Sequence, residues 1–317
     1  MKNLYMVIAA LAGALIISAG AFASDLAKSS DIAYHGLSPS DFPRWHQIVP
    51  NVYAYEDTLT TPHFTFTTNS LIIVTSDGVV LVDGQDHEEQ GESLVAAIKE
   101  LTPLPLKYVV IASDHGDHVN AFPVIKKAFP DAVYISTPAS LKTMKDLKKP
   151  ILASELVDDE RTLKLGNTEI QILNLGRGHT GGDLVVYLPE TKVMFLTELY
   201  DRNLFPPMVT GFPSEWLATL KKAQAMDVKW FIPGHGFTTG SPAELKADLE
   251  DFTNAVGLVV SEGKRLRATG VPCPDEKDCP ANALANWGHY AGFTAAAGQA
   301  PRALARSYAE IESRLPE

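Results

Sequence analysis

Apolar residues along this chain fall in short runs that alternate between strand-like and helix-like spacing. Two runs, at 71–74 and 79–82, flank a Ser-Asp-Gly turn at 76–78 and predict a β-hairpin over 69–83. The run at 108–112 is too apolar for either face to meet water, so it predicts a central strand covered on both sides. The alternation predicts an α/β protein.

The same pattern continues through most of the chain without internal repeats. Further strands are predicted at 132–136, 169–174, 184–188, 192–196 and 229–232. Helices are predicted near 89–101, 119–129, 138–148, 214–226, 242–268 and 301–313. Since no linker is long enough to separate domains, we expect one domain with a helical C-terminal tail.

The N-terminus has the pattern of a secretory leader. Lys2 precedes an apolar run at 4–17, and small residues with an Ala-x-Ala site follow at 21–23. We expect a signal peptide over 1–23 and a mature domain over 24–317 in the periplasm or outside the cell. An uncleaved membrane anchor is the alternative interpretation. No other stretch approaches the roughly 18 apolar residues of a membrane span, so none is expected after leader removal.

Export changes the interpretation of the two cysteines. Cys273 and Cys279 lie in a Pro-rich loop, and an oxidising compartment favours a disulfide between them. A structural zinc site is less favoured, because no histidine lies in that loop.

The composition limits the class of partner. The 317 residues include 45% apolar residues and carry a formal net charge of −11. An acidic chain is poorly suited to bind nucleic acid, because that binding depends on a basic face. We therefore expect a small-molecule substrate, and the oligomeric state stays open.

Four of the 9 histidines lie in glycine-containing loops directly after predicted strands. These loops are 113–118, 176–183 and 233–236, and the strand at 192–196 leads into Glu198. Imidazole and carboxylate ligands on a rigid sheet are suited to Zn²⁺, which lowers the pKa of bound water towards ~7. The pattern predicts a metal centre that hydrolyses its substrate.

This order of motifs resembles the metallo-β-lactamase superfamily. In that family H-x-H-x-D-H follows a central strand, and G-H-T, an acidic residue after a strand, and P-G-H come later. The resemblance covers about residues 50–240 and includes the Val-Asp-Gly motif at 82–84. It implies a four-layer αββα sandwich with metals at one edge of its two sheets.

The resemblance also implies two adjacent zinc sites. His115 and His179 would hold the first. Asp117, His118 and His235 would hold the second.

Other positions would support this centre. Glu198 stands where the family places a bridging Asp. Asp83 and Asp183 would orient the ligand loops. Asp117 would also act as the catalytic group that orients water or carries a proton to the leaving group.

Two positions depart from the family pattern. Ser113 replaces the first histidine of H-x-H-x-D-H, and Glu198 is one methylene longer than Asp. We expect unequal sites, with zinc held more tightly in the second and the first weak, empty or completed by another residue. His87, just beyond the first motif, is a candidate at the metal or substrate edge or else a polar loop residue. Arg202 is a candidate for binding a substrate carboxylate.

The residues therefore predict a zinc-dependent hydrolase with one or two ions, acting on a small ester, lactone, thioester or amide. A β-lactamase is one alternative, although the Cys ligand and nearby Lys of two lactamase classes have no counterpart after Glu198. A non-catalytic accessory protein of the periplasm that keeps the fold and a metal is the other.

Overall fold

The computed structural model describes residues 28–279 and 287–315, so the leader expected at 1–23 lies outside the described residues. A first sheet has seven strands in sequence order. Its strands are β1 (Arg44–Val49), β2 (Val52–Thr60), β3 (Thr65–Val74), β4 (Val79–Val82), β5 (Leu106–Val110), β6 (Val133–Ser136) and β7 (Glu155–Leu156). Pairing is antiparallel from β1 to β4 and parallel from β4 to β7.

The second sheet has five strands in the order β12-β11-β10-β9-β8. They are β8 (Glu160–Leu165), β9 (Thr168–Leu173), β10 (Val185–Leu188), β11 (Val193–Phe195) and β12 (Trp230–Ile232). Only β11 and β12 pair in parallel.

Helices cover the outer faces of both sheets. They are α1 (Glu88–Leu101), α2 (Gly116–Val119), α3 (Phe122–Ala128), α4 (Pro138–Asp146), α5 (Pro213–Gln224), α6 (Pro242–Ala268) and α7 (Ala296–Ile311). The helix predicted near 119–129 is two helices in the structure, with Pro123 in the first turn of the second one.

Strand periodicity explains the layers. In β3, Leu71 and Ile73 face the second sheet, whereas Ile72 faces the helices on the other side. In β10, Val186 faces the first sheet and Val185 faces the opposite helical layer. Because both faces of each central strand are buried, their apolar runs are continuous. The predicted four-layer αββα sandwich is confirmed.

The sequence pattern did not predict β1, β2, β7 or β8. In β2 the reason is a buried charge, which interrupts the apolar pattern. The Glu56 side chain is fully buried and pairs with Arg44 Nε at 2.6 Å. It also accepts hydrogen bonds from the backbone and hydroxyl of Thr238, both at 2.6 Å. These partners compensate the cost of burying a carboxylate.

The C-terminal helices pack against the second sheet. Leu304 of α7 shares a core with Phe252 of α6 and Trp216 of α5. Cys273 and Cys279 form the expected disulfide and are buried in the same core. Within residues 28–279 and 287–315, no helix has both the length and the apolarity needed to cross a membrane.

Candidate metal centre

The ligand residues come from loops that meet at one edge of the two sheets. His115 and Asp117 follow β5, where they begin the short helix α2. Glu198 lies in a 3-10 turn directly after β11. His235 follows β12, the parallel neighbour of β11. Since β11 and β12 run in the same direction, their carboxyl ends carry Glu198 and His235 to the same place.

One group of ligand atoms comes from four residues: Asp117, His118, Glu198 and His235. The Nε2 atoms of His118 and His235 are 3.3 Å apart. Asp117 Oδ2 is 3.2 Å from the His235 Nε2 atom. Glu198 Oε1 is 3.4 Å from the same nitrogen. The histidines and Glu198 are buried, whereas Asp117 is partly exposed to the pocket.

A second group comes from His115, His179 and the same Glu198. His115 Nδ1 and His179 Nε2 are 3.1 Å apart. Glu198 Oε1 is 3.2 Å from the His179 nitrogen, and its Oε2 is 3.0 Å from the His115 nitrogen. The Glu198 carboxylate is therefore common to both groups.

These spacings fit metal ions. Donor atoms that surround one Zn²⁺ tetrahedrally at about 2.0–2.2 Å lie roughly 3.3–3.6 Å from one another. Two neutral imidazoles with their lone pairs directed at each other repel, so a shared cation or a proton must lie between each pair. The donor set of nitrogen and carboxylate oxygen is also the set that zinc prefers in hydrolytic sites.

The pKa shifts show how the charges of this cluster compensate one another. Burial alone would raise the pKa of Glu198, but the positive charges of His115 and His179 hold it well below its usual range. Burial alone would lower the pKa of His235, but its contacts with Asp117 and Glu198 raise it well above its usual value. Imidazoles must lose their protons to bind a metal, so protons and a divalent cation compete for this centre.

Ser113 changes the centre through Glu198. The Ser113 side chain is fully buried, and its hydroxyl donates a short hydrogen bond to Glu198 Oε2. The serine thus contacts the carboxylate rather than adding an imidazole. One group then has two histidines and the shared Glu198, whereas the other has Asp117 in addition.

Asp83 accepts hydrogen bonds from two of the loops that carry candidate ligand residues. Its Oδ1 accepts hydrogen bonds from the backbone N–H groups of Ala112 at 2.7 Å and Ser113 at 3.2 Å. Its Oδ2 accepts one from the Thr197 hydroxyl at 2.6 Å and lies 3.2 Å from His118 Nδ1. One buried carboxylate therefore joins the loop after β5 to the turn that carries Glu198.

Asp183 orders the His179 loop. It accepts hydrogen bonds from the Thr180 backbone at 2.9 Å and from the Thr180 hydroxyl at 2.6 Å. Burial raises the pKa of Asp183 despite these bonds and the nearby His179. The His179 ring packs edge-on against Trp216, with the ring centroids 5.2 Å apart.

Several supporting residues were not predicted. Asn69 donates hydrogen bonds to the carbonyls of Pro233 at 3.0 Å and Gly236 at 2.7 Å, which encloses the His235 loop. The Thr67 carbonyl lies 3.0 Å from His235 Nδ1 and orients that ring. The role of the Thr67 carbonyl could not be predicted, because every residue has a backbone carbonyl. The only sign of a role for Asn69 was its position as a polar residue inside a strand.

Two predicted edge residues lie elsewhere. His87 lies at the start of α1, where its Nδ1 is 2.7 Å from Gln90 Oε1, and it belongs to neither ligand group. Arg202, predicted to bind a substrate carboxylate, has partners within the fold. Its guanidinium pairs with Asp248 at 2.8 Å and donates to the carbonyl of Phe237, so it is used inside the fold and does not line the pocket.

A cavity of about 380 Å³ opens over the cluster. His115, Asp117, His179, Glu198 and His235 form its floor. The walls are mainly apolar and come from the β2–β3 hairpin, from the loop before α5 and from the start of α7. The candidate ligand groups are therefore reached from this side through a mainly apolar opening.

An αββα sandwich with two histidine-carboxylate groups at one edge of its sheets is the architecture of a class of metalloproteins. Comparison with known proteins identifies the family. The family model of the metallo-beta-lactamase superfamily matches residues 64–235. The chain therefore belongs to the metallo-beta-lactamase superfamily. The match ends at His235, so α6, the disulfide and α7 lie beyond it.

Individual relatives are distant. Metallo-beta-lactamase IND-1 of Chryseobacterium indologenes is 30% identical over 179 residues, which are 54% of this chain and 72% of that protein. A type 2 metallo-beta-lactamase of Bacillus sp. (strain 170) is 23% identical over 173 residues, 53% of this chain and 66% of that protein.

Solved structures share the fold. A metallo-beta-lactamase from Pontibacter korlensis aligns with a TM-score of 0.61 and 20% identity, over 67% of this chain and 99% of that chain. Metallo-beta-lactamase IND-7 aligns with a TM-score of 0.59 and 23% identity, over 66% of this chain and 96% of that chain. About a third of this chain is thus additional to these two structures.

The position of Gly234 leads to a prediction about metal binding. A Cβ there would meet the Thr197 carbonyl and lie 2.8 Å from the backbone nitrogen of Glu198. We expect Gly234→Ala to displace the turn that carries Glu198 and to weaken the binding of a divalent metal ion, with Zn²⁺ as the probe, by about 10- to 100-fold. Competition with a chromogenic chelator measures the affinity.

Gly298→Ala is the matched control, because a Cβ at Gly298 has no heavy atom within 4 Å. It lies inside α7, where alanine is favoured over glycine by about 0.5–1 kcal/mol. This control should bind zinc like the unmodified protein. Unchanged zinc affinity in a folded Gly234→Ala protein would contradict the role assigned to this close approach.

Proposed function

We propose that this protein is a zinc-dependent hydrolase that cleaves a small ester, lactone, thioester or amide. The observation that carries the proposal is the arrangement of six ligand residues in two groups that share the Glu198 carboxylate. Both groups face one apolar cavity large enough for a small molecule. Membership of the metallo-beta-lactamase superfamily supports the same reaction class.

Each of the two groups of ligand residues would hold one metal ion. His115, His179 and Glu198 would hold one ion, and Asp117, His118, His235 and Glu198 the other. Bound zinc supplies Lewis acidity and lowers the pKa of a water ligand towards ~7.

Asp117 is the carboxylate best placed to move a proton. It is partly exposed to the cavity and lies beside His235, 3.2 Å from its Nε2. Burial opposes its ionisation, but the charge of His118 and the contact with His235 lower the pKa of Asp117 to about 2. It would therefore be a carboxylate at neutral pH, able to orient water and pass a proton to the leaving group.

We further propose that the two sites differ in affinity. The group with Asp117 has one more protein ligand than the group with His115 and His179. The hydroxyl of Ser113 is used by Glu198 and adds no strong zinc ligand. The site of Asp117, His118 and His235 would then hold zinc more tightly.

Export of a single mature domain, 24–317, completes the proposal. The leader pattern at 1–23 and the buried disulfide between Cys273 and Cys279 both suit the periplasm or the outside of the cell.

A β-lactamase activity is the second candidate, since the names of the similar proteins indicate it for them. A non-catalytic accessory role is the third and is favoured only by Ser113 and Glu198. Turnover separates these candidates.

Metal-dependent turnover is the first test. The zinc-loaded mature chain should hydrolyse at least one of a panel of β-lactam, lactone, thioester and nitrophenyl ester substrates, and a chelator should abolish the activity. Asp117→Ala should lower kcat/KM by about 100-fold or more, because it removes both a ligand and a proton carrier. Asp146→Ala, on the exposed end of α4, is the control and should keep full activity. No turnover of any substrate would favour the accessory role.

Metal stoichiometry tests the unequal sites. After dialysis, elemental analysis should find about one tightly held zinc per mature chain. The double variant Ser113→His and Glu198→Asp should gain a second ion. The histidine supplies a third imidazole, and the shorter aspartate makes room for that imidazole. Ser261→His adds a histidine on the exposed face of α6 and should gain none. Two tightly held ions in the unmodified chain would disprove the inequality.

Leader removal is measured by the mass of the exported protein. We expect the chain recovered from the periplasm or medium to begin at Ser24. Ala23→Asp should block processing, because the cleavage site requires small residues. A full-length chain in the membrane fraction would instead support the uncleaved anchor.

A further inference from the structure

The walls of the cavity over the metal centre carry no charge. Apart from the five ionisable residues of its floor, the lining residues are apolar or neutral, with Phe64 and Phe66 on one side and Phe205, Pro207 and Val209 on the other. Among residues 28–279 and 287–315, no Lys or Arg lines this cavity. Anything that enters must fit a neutral, aromatic surface around an ionic floor.

Three arginines of the neighbouring segments have partners within the fold. Arg306 donates to the carbonyls of Gly211 at 2.6 Å and Thr210 at 3.1 Å, at the back of the loop that forms one wall. Arg302 pairs with Glu276 at 2.5 Å. Arg202 is held by Asp248, as described above.

An anionic substituent would therefore lack a partner here. Transfer of a carboxylate from water to an apolar wall is strongly unfavourable unless a cation or several N–H donors compensate it. An apolar substituent would instead gain about fourfold in affinity for each methylene that it buries.

The cavity also continues beyond the metal centre. A second cavity of about 680 Å³ shares four lining residues with the first: Thr61, Phe64, Ala295 and Gln299. Its lining also includes Asp31, His63 and Arg302, so only the first cavity has uncharged walls. Ala295 and Gln299 lie at the start of α7, outside the segment that the family model matches. The C-terminal helix of this chain thus builds part of the wall along which a longer substituent would lie.

We propose that the natural substrate carries an uncharged apolar acyl group that lies in the cavity over the metal centre, between the β2–β3 hairpin and the start of α7. This inference rests on the proposed hydrolase function and names the substrate class for that same site. The scissile ester, lactone, thioester or amide bond would face the metal centre, with no carboxylate on the acyl chain.

Three esters with one leaving group test the proposal on the zinc-loaded mature chain. They are 4-nitrophenyl acetate, 4-nitrophenyl octanoate and the mono-4-nitrophenyl ester of octanedioic acid, which has the octanoyl length and a terminal carboxylate. We expect kcat/KM for the octanoate to exceed that for each of the other two at least tenfold. Equal rates for acetate and octanoate, or a preference for the carboxylate ester, would overturn the proposal.

A cation placed in the wall should reverse the charge discrimination. Val209 lines the cavity and is 58% exposed, so Val209→Lys can be accommodated at the surface. We expect it to raise the ratio of kcat/KM for the carboxylate ester over the octanoate at least tenfold. Leu147→Lys adds the same charge at a residue that is 61% exposed and does not line the cavity, and it should leave the ratio unchanged. The same change in both variants would show a general charge effect and contradict the proposal.

Binding separates failure of this proposal from failure of the hydrolase function. Acetohydroxamic acid, octanohydroxamic acid and octanedioic acid monohydroxamate present the same chelating group with the same three chains. Calorimetry on the zinc-loaded protein should give the octanoyl compound at least tenfold the affinity of the other two. If no ester is cleaved but this order holds, the hydrolase function fails and the apolar specificity stands. Equal affinities, or none measurable for the octanoyl compound, would refute the specificity whether or not esters are cleaved.

Discussion

The Glu198 carboxylate is the interaction on which the rest of the centre depends. It is buried among four imidazoles, with one oxygen within 3.2–3.4 Å of His179 and His235 and the other 3.0 Å from His115. A charge so deeply buried is tolerated only when positive partners surround it. The sandwich fold supplies these partners, because loops from both sheets bring their histidines to one edge. The fold and the charge balance of the site therefore depend on each other.

The position of Glu198 depends in turn on close backbone packing. Thr197 has a positive φ of 45° and donates its hydroxyl to Asp83, while the Gly234 N–H donates to the Thr197 carbonyl at 2.8 Å. A strained backbone at a non-glycine residue persists only where surrounding contacts determine it. Here those contacts come from β4 and from the loop after β12, and they hold the glutamate against two other ligand loops.

Much of this arrangement could be predicted from the sequence, because buried strands have continuous apolar runs and the ligand types follow them directly. The ligand residues, the disulfide and the helix at 242–268 lie where the pattern indicates. The strand β2 was missed because Glu56 interrupts its apolar pattern and is compensated by Arg44, which only the fold brings near. The partner of Arg202 could not be predicted for the same reason, since Asp248 is 46 residues away in sequence.

Ser113 and Glu198 are best understood as one paired change. Serine is far smaller than the imidazole that the family pattern places there, and it leaves room beside the centre. Glutamate is longer than aspartate by one methylene, and its second oxygen reaches that room to accept the Ser113 hydroxyl. Separately, each residue weakens a zinc site, by losing a nitrogen ligand or by extending a bridging carboxylate. Together they leave a packed, hydrogen-bonded cluster, so the departure from the family pattern alters the ligand count of one site without opening a hole in the core.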